Sequence, residues 1–149
     1  MLSRERFIKG QIYPRLEARV RRMVEEDFPD QRKATHNRKV DKALFWEANK
    51  QTTINNIQFL GVQHRPDFKV HYGGIRVAIE VKLGQTGQAV REGIGQSLVY
   101  ANSTDFDFVL YLFVDTSRDK KVLHAYGRPI EQAFVKSLWS NYNIRFSVI

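Results

Sequence analysis

The chain has 149 residues and carries 24 Lys and Arg against 16 Asp and Glu, a formal net charge of +8. That length fits one domain over 1–149 with a real core. The basic balance points to an anionic partner, nucleic acid first, although many small basic proteins bind nothing specific. Without cysteine, disulfides and thiolate metal sites are excluded, and a reducing, cytoplasmic setting is compatible. The amino terminus is charged at once and shows no signal-peptide pattern. The longest apolar run, Phe108 to Val114, is too short to cross a bilayer, so the chain reads as a soluble protein with no membrane partner.

Residues 11 to about 27 read as an amphipathic helix, with Ile12, Leu16, Val20, Met23 and Val24 repeating at three- and four-residue steps. Pro14 fits its first turn, and Phe28-Pro29-Asp30 ends it. Glu17 lies at the edge of the apolar stripe and can pair with Arg21 at i, i+4. Residues 31 to 64 are the least legible. Gln31 to Lys42 holds five basic residues, including Arg32, Lys33, Arg38 and Lys39. It reads either as a phosphate-binding strand or loop or as a solvated charged face. Ala43 to Trp46 is apolar, with Trp46 either a core residue or a stacking platform for a base. A polar stretch from Thr52 to Asn56 precedes a short strand at Ile57 to Val62.

Residues 65 to 83 organise the rest. Two alternating runs flank Gly73-Gly74, the signal for a two-residue β-hairpin. The turn pairs Tyr72 with Ile75, Val70 with Val77 and Phe68 with Ile79 on one face. The other face pairs His71 with Arg76, Lys69 with Ala78 and Asp67 with Glu80. Opposed residues have Cβ atoms roughly 5 Å apart, where like charges are destabilising, so the two carboxylates call for a cation. Lys82, two residues beyond Glu80, points to the same face. Oxygen donors of this kind suit Mg2+, and a lysine beside the ion can activate a water or steady charge on a phosphate. A hairpin on which Lys82 merely neutralises two acids is the plainer alternative.

Pro66-Asp67, twelve intervening residues and then Glu80-Val81-Lys82 resembles the PD-(D/E)XK nuclease superfamily. The resemblance implies a restriction-endonuclease-like α/β fold, a central mixed sheet flanked by helices, and Mg2+-dependent hydrolysis of DNA, with Mn2+ able to substitute. It implies that Asp67 and Glu80 hold the ion with the Val81 carbonyl, and that Lys82 orients or activates water. Leu16-Glu17-Ala18-Arg19-Val20-Arg21-Arg22-Met23 is similar to the family's first helix, whose glutamate reaches toward the metal. That implies a metal role for Glu17, with Glu5 and Glu47 as the other candidates. Arg32, Lys33, Arg38, Lys39 and Arg65 are the candidate contacts to DNA.

Residues 88 to about 102 read as a helix with Val90, Ile94, Leu98 and Ala101 inward. Gly93 and Gly95 within it suggest close approach of another backbone, from the sheet or from a nucleic-acid strand. Gln96-x-x-x-Tyr100 resembles the supporting motif of the RecB-like branch of the same superfamily. Phe106 to Val114 reads as a central strand covered on both faces, completing a βαβ unit. Asp115 then caps or turns the chain. A short strand is expected at Val122 to Tyr126. Pro129 opens a helix with Ile130, Phe134 and Leu138 inward, and Ile144, Phe146 and Val148 mark an edge strand. The histidines lack zinc-ligand spacing. A non-catalytic nucleic-acid-binding module with this fold is the alternative function, and a salt-bridge cluster in a protein-interaction domain is a third. A two-strand cut by so small a chain implies a homodimer or a partner protein.

Overall fold

A computed structural model describes residues 3–49 and 54–149. Of the polar stretch expected at Thr52 to Asn56, Thr52 and Thr53 lie outside the described residues. The elements run α1 (Arg4–Asp27), α2 (Lys33–Ala43), β1 (Leu44–Trp46), β2 (Ile57–Phe59), β3 (Val62–His64), β4 (Phe68–Tyr72), β5 (Ile75–Gly84), α3 (Gly87–Ala101), β6 (Phe108–Asp115), α4 (Lys121–Tyr126), α5 (Pro129–Tyr142) and β7 (Ile144–Val148). Five strands form one mixed sheet in the order β1-β4-β5-β6-β7, and β2 with β3 make a separate hairpin. β1, β4 and β5 are antiparallel neighbours, whereas β6 and β7 join in parallel.

The β4–β5 register is the one expected from the sequence, from Tyr72 with Ile75 to Phe68 with Ile79. Gly73 and Gly74 both have positive φ, +60° and +79°, as a type I′ turn requires. Alternation then sends side chains to two different layers. Ile79 and Val81 join Phe68, Leu110 and Leu112 beneath Ile8, Ile12 and Leu16 of α1. Ala78 joins Val109, Tyr111 and Phe113 beneath α3, α4 and α5. The face that reads as polar from β4 and β5 is therefore covered by α3, which buries Glu80. α2 packs Val40 and Ala43 against Val20 and Val24 of α1. β6 lies between β5 and β7 with both faces covered, which is why its sequence is almost continuously apolar.

Several expectations are corrected. The first helix begins at Arg4, where the Ser3 hydroxyl accepts the Arg6 N–H at 3.2 Å, so Pro14 lies inside it. Packing of the stripe on both sides of Pro14 outweighs the backbone bond that proline forfeits. Gln31 to Lys42 is neither strand nor loop but mostly the helix α2. Its inward positions, His36, Val40 and Ala43, recur at helical spacing, and His36 Nε2 lies 2.7 Å from the Phe28 carbonyl. Ile57 to Val62 is a hairpin with its turn at Leu60-Gly61, not one strand. Val122 to Tyr126 is helical, because Asp115 and Ser117 satisfy the first N–H groups of α4. In α5, Ile130 and Phe134 are 68% and 67% exposed; Leu138 meets the core as expected, and Val135 joins it in their place.

On α3 the fully inward line is Gly93, Ser97 and Tyr100, while Val90, Ile94 and Leu98 flank it. A Cβ on Gly93 would lie 2.1 Å from the Tyr111 ring, so the glycine admits a sheet side chain. Tyr111 runs past it to donate its hydroxyl to the Val90 carbonyl at 2.9 Å. Gly95 has nothing comparable within 4 Å.

Candidate active site

The site forms where the hairpin ladder runs out. A two-residue turn makes Tyr72–Ile75 a hydrogen-bonded pair, and such pairs alternate along an antiparallel ladder. The next in register after Phe68–Ile79 is Pro66–Val81. Proline has no N–H to give the Val81 carbonyl across the ladder. The Val81 N–H instead goes to Asp67 Oδ2 at 2.8 Å. The Glu47 N–H holds the Asp67 backbone carbonyl at 2.9 Å, so Asp67 is fixed by side chain and main chain together.

Glu80 stands opposite Asp67, as expected, and only 4% of it is exposed. Tyr100 reaches from α3 to donate its hydroxyl to Glu80 Oε2 at 3.1 Å. Lys82 Nζ lies 4.0 Å from Glu80 Oε1 and is partly exposed. From the opposite layer Lys9 of α1 donates to Asp67 Oδ1 at 2.5 Å and to Glu5 Oε1 at 2.8 Å. Two helices on opposite sides of the sheet thus converge on one pair of carboxylates.

Electrostatics mark the pair. Burial raises the Asp67 carboxyl above its ordinary range, against the opposing pull of Lys9 and the Val81 N–H. Burial and then the Asp67 charge push Glu80 up to about 8, and Lys82 and Tyr100 only partly compensate. Burial would lower the Lys9 amine, but the charges of Asp67 and Glu5 outweigh it and raise it. The hydrogen bond from Lys9 holds Glu5 below its usual value, with a smaller contribution from Lys82. Burial raises the Tyr100 hydroxyl, and Glu80 adds to the rise, so it stays a donor.

The structure brings Asp67, Glu80, Val81, Lys82 and Tyr100 together. Gln96 lies one turn before Tyr100, with its side-chain oxygen buried and without a hydrogen-bond partner among the described residues. Glu17 is not part of the cluster. It lies 3.9 Å from Arg21 on the turn where Arg21 also meets Asn37 of α2. The α1 acid at the site is Glu5, twelve residues earlier and roughly 18 Å away along the axis. The sequence reading missed Lys9, whose one signal is its i, i+4 spacing from Glu5.

Arg32, Lys33, Arg38 and Lys39 begin or line α2, which packs on the far half of α1. Lys9 and Val24 are about 22 Å apart along α1, so these four stand away from the carboxylates. Lys39 Nζ rests 3.9 Å above the Phe28 ring centre, and Arg38 donates to Thr35. Arg65 is two residues from Asp67 and donates to Asn56 at 2.9 Å. Trp46 stacks on Tyr13 and Phe68 with ring centres 5.1 and 5.8 Å away, as a core residue does. A polar cleft of ≈ 340 Å³ opens beside Lys9, bordered by Glu5, Arg6, Trp46 and Glu47.

Among the described residues no group of three or more His, Cys, Asp or Glu side chains is arranged to hold a metal ion. The donors present, two carboxylates and the Val81 carbonyl, nonetheless fit Mg2+, which takes one or two carboxylates and keeps several waters. Burial and then the Asp67 charge lift Glu80, and of these two a divalent ion would offset the second. Among the described residues no helix is long and apolar enough to cross a membrane. The chain matches no protein-family model, no curated protein and no solved structure.

Proposed function

We propose that this chain is a metal-dependent DNA nuclease with the restriction-endonuclease-like fold, of the PD-(D/E)XK superfamily and its RecB-like branch. One observation carries the reading. Asp67 and Glu80 face each other in a buried, under-neutralised pair, with Lys82 beside Glu80 and Tyr100 bound to it. A fold that wanted only stability would replace such a pair with apolar residues at little cost.

Bound at Asp67 and Glu80, Mg2+ would neutralise phosphate charge and polarise an attacking water. The protein's part is positioning. The Val81 N–H orients Asp67, and the Tyr100 hydroxyl orients Glu80. Lys82, anchored at one end of the pair and partly open to solvent, is placed to orient the attacking water or to donate to a phosphate oxygen. Gln96 supports from the turn before Tyr100. Arg65 and the cleft beside Lys9 offer the nearest contacts for the DNA backbone, and the α2 cations the more distant ones.

Purified protein with Mg2+ or Mn2+ is expected to cleave at least one of linear, circular, branched or single-stranded DNA. Asp67→Ala and Lys82→Ala should each reduce the rate by about 10³-fold or more, an effect of roughly 4 kcal/mol. Binding without cleavage by any of these substrates would overturn the enzymatic reading. The second reading, a binding module that keeps the fold, is favoured by one feature, the Lys9 ammonium already seated on Asp67.

A further inference from the structure

Both oxygens of Asp67 are engaged. Oδ2 accepts the Val81 N–H, a donor held in place on β5, and Oδ1 accepts the Lys9 ammonium. A divalent ion that uses Asp67 through Oδ1 must therefore compete with Lys9. The lysine has somewhere to go. Its other partner, Glu5, is half exposed at the border of the polar cleft, whereas Asp67 is enclosed. A four-carbon stem lets the ammonium shift between two acids without moving the helix.

We propose that Lys9 is a displaceable internal cation that sets how tightly the Asp67–Glu80 pair takes a divalent ion, retreating onto Glu5 as the ion enters. This rests on the metal-site reading above and adds regulation to it. Lys9 is a positioning residue. It holds the two carboxylates compatible in the fold, and the strength of its hold on Asp67 determines the concentration at which the site loads. Glu5, which the resemblance offered only as an alternative ligand, becomes the second seat of the lysine.

The test is binding, not turnover. Free Mn2+ is followed by electron paramagnetic resonance in titrations of wild type, Lys9→Met, Lys9→Arg and Asp67→Asn, and Tm is recorded with and without Ca2+. Lys9→Met keeps the stem and removes the charge. It should bind Mn2+ about tenfold tighter or more, melt below wild type in chelator, and gain more from Ca2+ than wild type does. Lys9→Arg keeps the charge in a planar fork suited to a carboxylate, and should bind Mn2+ more weakly than wild type. It also serves if the methionine variant does not fold. Binding that Asp67→Asn abolishes but neither Lys9 variant moves overturns this proposal and leaves the metal site standing. No Asp67-dependent binding in wild type or either Lys9 variant overturns both. Asp67-dependent binding in Lys9→Met alone supports the proposal.

Discussion

Asp115, at the end of β6, and the Asp67–Glu80 pair on the hairpin are all withdrawn from solvent, yet their surroundings treat them oppositely. Asp115 Oδ1 accepts the Ser117 N–H at 2.8 Å and the Ser117 hydroxyl at 2.6 Å, and Oδ2 accepts the Leu123 N–H at 2.9 Å. Burial alone would raise its carboxyl, but these donors from Ser117 and the start of α4 pull it below the ordinary value. Asp67 and Glu80 have fewer donors, and burial raises both, with the Glu5 charge adding at Asp67 and the Asp67 charge adding at Glu80. A buried acid with its hydrogen bonds complete organises structure. A buried pair with fewer donors is where a perturbed, functional acid is sought, and the proposed metal site is placed there on that ground.

The sharpest way to break this contrast is to remove one acid from each centre. Glu80→Gln keeps the shape and the Tyr100 acceptor, and should cut cleavage by about 10³-fold or more while the protein stays folded. Asp115→Ala should do the reverse. Losing three charge-assisted bonds that set α4 should cost about 2–4 kcal/mol in urea denaturation, with the rate per folded molecule preserved. If Asp115→Ala abolished cleavage in folded protein, the division of labour between the two centres would be wrong.

A smaller effect follows from pH. Glu80 holds its proton more tightly folded, at about 8, than unfolded, at 4.5. Between those values the folded state binds more protons, so Glu80 supports the fold fully below 4.5 and loses that support as pH rises through 8. In chelator, wild type should lose on the order of 2 kcal/mol more between pH 6 and pH 9 than Glu80→Gln does. Parallel pH profiles for the two proteins would show that Glu80 ionises normally.

The hairpin was legible because a two-residue turn and a period of two leave no freedom in the register, and Asp67, Glu80 and Lys82 follow by counting. Tyr100 was legible only through the resemblance of Gln96-x-x-x-Tyr100, on a helix soon after Lys82, to the RecB-like motif, and helical periodicity alone would not have picked it. Lys9 was not, because its contact with Asp67 joins residues 58 apart through the crossing of α1 over the sheet. Local periodicity carries no such information. α2 was hidden for another reason. Its inward stripe includes His36, whose burial depends on the Phe28 carbonyl, among surface cations that outnumber its apolar residues.

Glu17 and Glu5 give the finest comparison, since both lie on α1 and the apolar stripe repeats through both turns. Periodicity says which side of a helix faces the sheet but not which turn meets the end of β4. That is decided by where the helix starts and how it crosses, and here the turn is the one bearing Glu5 and Lys9. Glu17→Gln removes a long i, i+4 contact to Arg21 and leaves an amide where the carboxylate meets the Tyr13 hydroxyl, so stability should change by about 0.5 kcal/mol or less and the rate by less than twofold. Glu5→Gln should leave stability nearly as close to wild type but weaken Mn2+ binding several-fold, because a displaced Lys9 loses its charged second seat. Equal Mn2+ affinities for the two variants would remove Glu5 from the site. Weaker binding in Glu17→Gln alone would mean that α1 engages the hairpin about three turns further along its length.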